Sequence, residues 1–386
     1  PGVVDALGRL ARAVVDRLHA TTVVGVTGSS GKTGTKDLLA QVLSGLGPTV
    51  AAQGSYNNEI GLPLTALRAD QGTRHLVVEM GARGSGHISY LCGIAPPRVG
   101  VVLNVGTAHL GEFGSRGGIA RAKAELVEAL PAGGLAVLNA DDPLALGMAA
   151  RSCARVLTFG SSPRADVSAG EITLDRLGRA TFTMTTPEGS APVRLLLHGA
   201  HQVGNALAAA CVARELGMSV DRVADALGRA RTLSPWRMEV TERPDGVTVV
   251  NDAYNANPES MRAALQALTA MARGRRTWAV LGEMRELGET SAAAHVALGR
   301  EAARLGVARL VAVGDGAAGV CEGANGEGPG NARPVFVPDV EAAVALLESE
   351  TLPGDIVLVK ASRAAGLERV AEALLAGRAG GPEVSA

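Results

Sequence analysis

The chain has 386 residues and a formal net charge of −1, which argues against the strongly basic surface that nucleic-acid binding requires. Its length predicts two or three domains, and because only 2% of the residues are aromatic, their cores must consist mainly of Ala, Val and Leu. The four cysteines form no Cys-x-x-Cys pair, which argues against a zinc site or a disulfide framework. We find no signal peptide or apolar run of membrane-spanning length, and we therefore expect a cytoplasmic protein without membrane insertion.

Residues 23–36 predict a phosphate-binding loop. A β-branched run at 23–26 is typical of a buried strand, and an amphipathic helix pattern begins at Lys32. The unpaired N–H groups and dipole of a helix N-terminus attract phosphate, Lys32 can reach the β- and γ-phosphates, and the Thr33 hydroxyl can ligate Mg²⁺. The alternative is a glycine-rich turn followed by a solvated lysine. The predicted ATP contacts in this loop are Gly28, Ser29, Ser30, Gly31, Lys32 and Thr33.

Short apolar runs alternate with helical patterns along both halves of the chain, which predicts an α/β fold with mostly parallel sheets. Residues 166–197 alternate polar and apolar side chains and predict a small antiparallel patch. A second, Rossmann-like alternation follows a linker at 232–237, with strands expected at 247–251, 277–281, 309–313, 335–337 and 355–359. We expect a linker helix (1–22), a central ATP-binding domain (23–233), a C-terminal domain (234–378) and a disordered tail (379–386).

Polar residues follow the strands of the first half, where ligands of open α/β sheets bind. We expect them to converge on the phosphate loop; they are Glu79, Asn104, His109, Asn139, Asp141 and Asp142. Glu79 is a candidate Mg²⁺ ligand, against the alternative of a solvated acid at the end of a strand. His109 is a candidate site residue, against a structural or exposed histidine. Lys123 lies in a helical pattern, and spacing alone favours a surface lysine beside Glu128.

The second half contains further candidates around the linker. Arg237 is suited to meet a γ-phosphate, although stacking on Trp236 is the alternative. The run NDAYNANP (251–258) holds more polar side chains than helix capping by Asn257 explains, which suggests ligand contacts. Lys360 and Arg363 end the last strand, where a positive pair could hold a carboxylate.

The motifs together resemble the Mur ligase family from about residue 23 to residue 375. The resemblance rests on TGSSGKT (27–33), YNNEIGLP (56–63), NDAYNANPES (251–260), LGEMRELG (281–288) and KASR (360–363), in their order and separation. Gly34 stands where relatives usually carry a second hydroxyl residue, so one phosphate contact is expected to be missing. The family also has an N-terminal UDP-binding domain, for which residues 1–22 are too short. We therefore expect a fragment that binds Mg·ATP with little ligation on its own.

The resemblance implies a role for each candidate residue. The implied catalytic residues are Lys32, Lys123, His109 and Arg237. The implied Mg²⁺ ligands are Thr33, Glu79, His109 and a carbamylated Lys123. Whether Lys123 is carbamylated in this branch stays open. The implied nucleotide contacts outside the loop are Asn205, Arg237, Asp252, Tyr254 and Asn255, and the implied substrate contacts are Asn57, Asn58, Asn257, Ser362 and Arg363.

The implied reaction is ATP-dependent amide formation. A carboxylate of UDP-N-acetylmuramoyl-tripeptide becomes an acyl phosphate, and the amine of D-alanyl-D-alanine displaces the phosphate. Positioned charge from Lys32, Arg237 and Mg²⁺ suits this phosphoryl transfer. We expect a monomer. Two alternatives remain: a different ligase of the superfamily, such as a folylpolyglutamate synthase, and a non-catalytic ATP-binding module.

Overall fold

The computed structural model describes residues 2–107, 110–325 and 333–377. His109, residues 326–332 and the expected tail at 379–386 lie outside these ranges. The chain divides into two compact units. Unit 1 comprises Pro1–Thr173, Arg179–Leu197 and His201–Ser234, and unit 2 comprises Leu174–Gly178, His198–Ala200 and Pro235–Ala386.

Unit 1 is built on a nine-stranded sheet with the order β2-β3-β1-β4-β5-β6-β7-β8-β9. The strands from β2 to β7 pair in parallel, and the short turns after β7 and β8 make the last three strands antiparallel. The strands are β1 (Thr22–Thr27), β2 (Thr49–Ala51), β3 (His75–Glu79), β4 (Val99–Val102), β5 (Leu135–Asn139), β6 (Arg155–Gly160), β7 (Val167–Leu174), β8 (Arg179–Thr186) and β9 (Gly189–His198).

The helices of unit 1 connect and cover the parallel strands. The central strands are buried on both faces and read as continuous apolar runs, as β1 and β3 do. The helices are α1 (Val3–Val15), α2 (Lys32–Leu43), α3 (Gly61–Ala66), α4 (His87–Ile94), α5 (Leu110–Phe113), α6 (Arg116–Glu128), α7 (Pro143–Leu146), α8 (Gln202–Glu215) and α9 (Val220–Arg229). A 3₁₀ helix follows α7 at Gly147–Arg151.

Unit 2 is a six-stranded sheet with the order β10-β11-β15-β12-β13-β14, in which β10 alone is antiparallel to its neighbour. Its strands are β10 (Glu239–Glu242), β11 (Thr248–Asn251), β12 (Thr277–Leu281), β13 (Arg309–Val313), β14 (Arg333–Val337) and β15 (Ile356–Lys360). Its helices are α10 (Pro258–Ala272), α11 (Ser291–Arg304), α12 (Gly319–Ala324), α13 (Val340–Glu350) and α14 (Glu368–Ala376), with 3₁₀ turns at Gly288–Thr290, Asp315–Ala317 and Arg363–Ala365.

The two faces of the unit 2 sheet carry separate apolar cores. Successive residues of β12 alternate between them: Ala279 packs in one cluster and Trp278 in the other, as the two-residue period of a strand requires. Trp278 is fully buried, and its Nε1 donates to Asp355 Oδ2 at 2.9 Å. The guanidinium groups of Arg276 and Arg309 lie over its ring at 5.3 and 4.9 Å from the centroid.

The predicted α/β class, with parallel sheets, an antiparallel patch and a second α/β unit, is confirmed. Three strands were not predicted: β2, β6 and β10. β2 has only three residues and β10 is a polar edge strand, so neither shows a clear hydrophobic period. Among the described residues, no helix combines the length and the apolar character needed to cross a membrane.

Candidate functional site

The loop between β1 and α2 depends on two glycines. Gly31 is the N-cap of α2 with φ +81°, a left-handed conformation that favours glycine. A Cβ on Gly31 would lie 2.6 Å from Asn205 Oδ1, and one on Gly28 would lie 2.9 Å from Leu103 Cβ. The backbone therefore approaches its neighbours more closely than a side chain permits, which leaves a cradle at the N-terminus of α2.

Asn104, which follows β4, braces this loop as the strand-end pattern predicted. Its Oδ1 accepts hydrogen bonds from the backbone N–H groups of Ser29 and Ser30 at 3.0 and 2.9 Å, and its Nδ2 donates to Ser30 O at 3.2 Å. The Ser29 hydroxyl accepts from Gly106 N at 2.9 Å. Two N–H groups of the predicted phosphate cradle thus already have an oxygen acceptor within the protein.

The other strand-end residues support the neighbouring loops instead. Asn139 Nδ2 donates to Leu103 O at 2.8 Å, and Asp142 Oδ2 accepts from Val105 N at 2.7 Å. Asp141 accepts from the backbone N–H of Ser161 at 2.7 Å. The prediction that all of these residues converge on the phosphate loop is therefore wrong for Asp141, while Asn139 and Asp142 hold the residues on either side of Asn104.

The predicted metal ligands Thr33 and Glu79 are in direct contact. Thr33 Oγ1 donates to Glu79 Oε2 at 2.9 Å, and Asn57 Nδ2 donates to the other carboxylate oxygen at 2.7 Å. Lys32, at the start of the same helix, donates to Gly28 O at 2.8 Å. Within the described ranges, no group of three His, Cys, Asp or Glu side chains could hold a metal by itself. One carboxylate and one hydroxyl beside a phosphate cradle fit Mg²⁺, which usually takes few protein ligands and completes its shell with phosphate and water.

Lys123 on α6 is buried, with only 6% of its surface exposed, so the alternative of a surface lysine is wrong. Glu128, its expected neighbour, pairs with Arg151 instead. Burial, and secondarily the charge of Lys32, holds the pKa of the Lys123 amine well below its ordinary value. A larger neutral fraction of the amine favours carbamylation, because CO₂ reacts with the unprotonated form.

The remaining predicted residues of unit 1 have partners within the protein. Asn205 on α8 lies beside Gly31, and its Nδ2 donates to Gln202 Oε1 at 2.9 Å. Asn58 Oδ1 accepts from the N–H groups of Ile60 and Gly61 at 3.2 and 2.8 Å and so supports the start of α3. Asn57, as described above, orients Glu79.

In unit 2, Asp252 and Lys360 form a buried ion pair. Lys360 Nζ lies 2.7 Å from Asp252 Oδ2 and donates to Asn255 O at 2.7 Å. The other carboxylate oxygen of Asp252 accepts from Met238 N at 3.1 Å. Burial lowers the pKa of Lys360, and Asp252 opposes part of that shift. The expectation that Lys360 and Arg363 together hold a ligand carboxylate is wrong for Lys360, because its ammonium group is buried against the protein's own acceptors.

Arg237 and Arg363 each lie over an aromatic ring of unit 2. The Arg237 guanidinium is 4.1 Å from the centroid of Tyr254, and that of Arg363 is 3.9 Å from the centroid of Trp236. The two rings stack at 6.5 Å. Arg237 thus lies over Tyr254, whereas Arg363 lies over Trp236 and also pairs with Glu368. Both contacts are of the cation–π type.

The last two predicted residues also have clear structural contacts. Asn257 caps α10: its side chain accepts from Ser260 N at 2.8 Å, and Ser260 Oγ accepts in turn from Asn257 N at 3.0 Å. Ser362 Oγ accepts from Arg285 N at 2.9 Å, which ties the KASR segment to the LGEMRELG loop.

Comparison with known proteins identifies the family. The family model described as "Mur ligase middle domain" matches residues 26–213, and "Mur ligase, glutamate ligase domain" matches residues 236–363. A Mycobacterium tuberculosis protein named UDP-N-acetylmuramoyl-tripeptide--D-alanyl-D-alanine ligase is 54% identical over 97% of this chain and 77% of its own length. The chain belongs to the Mur ligase family. The Escherichia coli ligase of the same name is 36% identical over 96% of this chain and 80% of its own length.

Solved structures agree with this Mur ligase assignment. "Crystal structure I of MurF from Acinetobacter baumannii" matches with a TM-score of 0.88 at 34% identity, covering 97% of this chain and 80% of that one. The MurF ligase from Thermotoga maritima in complex with ADP matches with a TM-score of 0.86 at 34% identity, covering 97% of this chain and 84% of that one. The family predicted from the motifs is thus confirmed, and the predicted ligase function agrees with the names of these relatives.

Two charged residues of this Mur ligase were not singled out from the sequence. Lys36 and Asp37 follow the phosphate-loop motif directly, and both are buried, at 2% and 6% exposure. Adjacent opposite charges on an amphipathic helix usually indicate a solvated surface. The signal that distinguishes Lys36 is its place on the face of α2 that also carries Leu39 and Leu43, one and two turns away. Asp37 lies on a different side of the helix, and the sequence does not name the partners of either residue.

Proposed function

We propose that this Mur ligase joins D-alanyl-D-alanine to UDP-N-acetylmuramoyl-tripeptide at the expense of ATP and so makes a peptidoglycan precursor. The observation that carries the proposal is the Thr33–Glu79 contact beside Lys32 at the N-terminus of α2, which combines a phosphate cradle with hard oxygen ligands. The named substrates come from relatives at up to 54% identity. We also propose that the protein acts as a monomer in the cytoplasm.

The chemistry proceeds in two displacements. A carboxylate oxygen of the tripeptide attacks the γ-phosphorus of ATP, the bond to the β-phosphate oxygen breaks, and ADP leaves. The neutral amine of the dipeptide then attacks the acyl carbon, inorganic phosphate departs, and the amine loses a proton. Lys32 and the loop N–H groups hold the β- and γ-phosphates, where fixed positive charge stabilises the transferring group.

Mg²⁺, when bound by Thr33 and Glu79, neutralises charge on the phosphates. Lys123 is buried and near Lys32, so its carbamate would supply an anion where the unmodified amine is poorly solvated. The roles of His109, Asn205, Arg237 and Asp252 follow from the family resemblance. The proposed nucleotide and substrate contacts are completed by Tyr254, Asn255, Asn57, Asn58, Asn257, Ser362 and Arg363.

The test is ligation by the protein at its natural length, with Mg·ATP, UDP-N-acetylmuramoyl-tripeptide and D-alanyl-D-alanine. We expect ADP release that requires both co-substrates, and a product whose mass equals their sum minus one water. L-Glutamate with a folate acceptor serves as the control for the folylpolyglutamate alternative. ATP binding without any amide product would contradict the proposal and favour a non-catalytic module, whereas glutamate transfer would favour the other ligase.

A further inference from the structure

The loop that carries the LGEMRELG motif (281–288) is joined to α11 by a buried histidine. His295, in the second turn of α11, is 1% exposed. Its Nε2 lies 2.9 Å from the backbone nitrogen of Met284, and its Nδ1 lies 2.8 Å from the backbone oxygen of Ser291. Because an amide N–H donates and a carbonyl oxygen accepts, the ring carries its hydrogen on Nδ1 and offers a lone pair at Nε2. All three residues belong to unit 2.

The helix that supplies this histidine is itself closely packed. A Cβ on Gly319 of α12 would lie 3.3 Å from His295 Cβ, and one on Gly299 would overlap the backbone oxygen of Val320. The Met284 side chain is 1% exposed and packs in the same apolar cluster of unit 2. Close packing of this kind leaves side chains little room to shift. The lone pair at Nε2 is therefore held at a defined position beside the loop.

The opposite side of the same loop backbone contacts the KASR segment (360–363). The N–H of Ser362 donates to Glu283 O at 3.0 Å, and Ser362 Oγ accepts from Arg285 N at 2.9 Å. Met284, whose N–H donates to His295, lies between these two loop residues. Three consecutive residues of the loop therefore connect His295 to Ser362, and all of these contacts lie within unit 2.

The bond from Arg285 determines how the Ser362 hydroxyl is presented. A serine hydroxyl has one hydrogen to donate and two lone pairs. Because the Arg285 N–H takes a lone pair, the hydroxyl hydrogen points away from that N–H and can be donated elsewhere. Ser362 is 5% exposed, and the next residue, Arg363, has a half-exposed cationic side chain. A donor hydroxyl beside a guanidinium group is suited to an anionic oxygen such as a carboxylate.

We propose that His295 is a positioning residue for Ser362. By accepting the Met284 N–H it fixes the backbone of residues 283–285, and this backbone orients the Ser362 hydroxyl as a donor to the terminal carboxylate of the dipeptide substrate. The inference rests on the proposed function in one respect, because the contact between Ser362 and the dipeptide comes from the family resemblance. It deepens that function by naming the group of the dipeptide that the hydroxyl binds and the residue that orients the hydroxyl.

Two variants of similar length and volume isolate the acceptor at residue 295. His295→Gln keeps an oxygen acceptor within reach of the Met284 N–H, and His295→Met has none. In ligation by the protein at its natural length, the Met variant should raise the KM for D-alanyl-D-alanine about tenfold, as loss of one hydrogen bond to a charged group does. The Gln variant should stay within about threefold, and in both variants kcat, the KM for ATP and the Kd for an ATP analogue should change by less than about threefold. Equal dipeptide KM values in the two variants, or parallel rises for every substrate, would overturn the inference.

A double variant separates positioning from a merely structural role. Ser362→Ala removes the hydroxyl and should also raise the dipeptide KM about tenfold. Adding His295→Met should then raise it by less than about threefold, because a residue that acts through Ser362 has no hydroxyl left to orient. Effects that multiply would overturn the proposal.

D-Alanyl-D-alaninamide tests the assigned carboxylate, which it replaces by a carboxamide. With this analogue, the difference in KM between the wild-type protein and Ser362→Ala should shrink to about threefold or less, because the acceptor is no longer charged. An undiminished difference would refute the contact between the hydroxyl and the carboxylate.

Hydrogen exchange of the Arg285 N–H measures the positioning without catalysis. This N–H donates to Ser362 and does not contact His295, so its exchange reports whether the loop backbone keeps its place. Exchange followed by NMR should be faster in the Met variant than in the Gln variant. Equal rates would refute the positioning role even if the wild-type protein formed no amide, a result that would refute only the proposed function. If the Met variant does not fold, His295→Asn, which keeps a donor toward Ser291 O and has no acceptor at the position of Nε2, replaces it with the same expectations.

Discussion

Replacing Thr33 by valine tests the metal-binding half of the site, because the two side chains have nearly the same shape. The substitution removes the hydroxyl that donates to Glu79 Oε2 at 2.9 Å and leaves that oxygen in a site where Glu79 is only 1% exposed. A hydrogen bond to a buried charged group contributes about 2 kcal/mol. For a unit of this size that loss lowers the melting temperature by about 4–8 °C. Thr33→Ser keeps the hydroxyl and should melt close to the wild-type protein.

The same variant should weaken the response to Mg²⁺. We expect the Mg²⁺ concentration that half-saturates ATP-analogue binding, measured by calorimetry, to rise about tenfold in Thr33→Val, which corresponds to about 1.4 kcal/mol, and about twofold or less in Thr33→Ser. With EDTA present, the two variants should bind the nucleotide equally. A valine variant that matches the wild-type protein in both melting temperature and Mg²⁺ dependence would refute the assignment of Thr33 as a ligand.

Three further changes test the loop and its surroundings. Lys32→Met should lower turnover by a factor on the order of 10²–10³ without changing the melting temperature, and near-normal turnover would exclude a role at the phosphates. Lys123→Ala should abolish ligation, with partial rescue by short carboxylic acids and a bicarbonate requirement in the wild type. Burial lowers the pKa of Lys123, so above the folded-state pKa the unfolded chain binds more protons than the folded protein does. The free energy of unfolding should therefore rise with pH up to about 10.4, the ordinary pKa of a lysine. Lys123→Met should remove this dependence on pH. Gly31→Ala should weaken ATP binding at least tenfold, because φ is +81° and the added Cβ would lie 2.6 Å from Asn205 Oδ1. Gly34→Ala should change the affinity little, because its Cβ would lie 3.3 Å from Asn205 Nδ2. Equal affinities of the two variants for ATP would show that the loop tolerates a side chain.

The sequence was sufficient for the parts of the site that are local or that follow from sheet geometry. The strand, loop and helix around Lys32 are contiguous, so their pattern predicts them directly. Glu79 and Asn104 were expected near the loop because the carboxyl ends of parallel strands share one edge of a sheet, and both lie there. The capping role of Asn257 also follows from its position before Pro258.

The contacts that the sequence did not reveal join distant residues through buried charges. Asp37 and Ser234 are 197 residues apart, and Lys360 and the backbone oxygen of Asp252 are 108 residues apart. The apolar face of α2 indicates that Lys36 is buried, but the local pattern names no partner for this lysine or for Lys360. Lys123 shows the same limit, since its helix reads as amphipathic with a charged face, although the packing of α6 buries the amine.

The position of the two tryptophans makes the units separately observable. Trp236 and Trp278, the only tryptophans in the sequence, both belong to unit 2. Indole fluorescence therefore reports from residues of unit 2, whereas far-ultraviolet circular dichroism follows both units. Coincident curves from the two probes would mark a single cooperative transition, and separated curves would assign a stability to each unit without dividing the chain. The scarcity of aromatic residues thus turns one denaturation experiment into a measurement of how strongly the two units depend on each other.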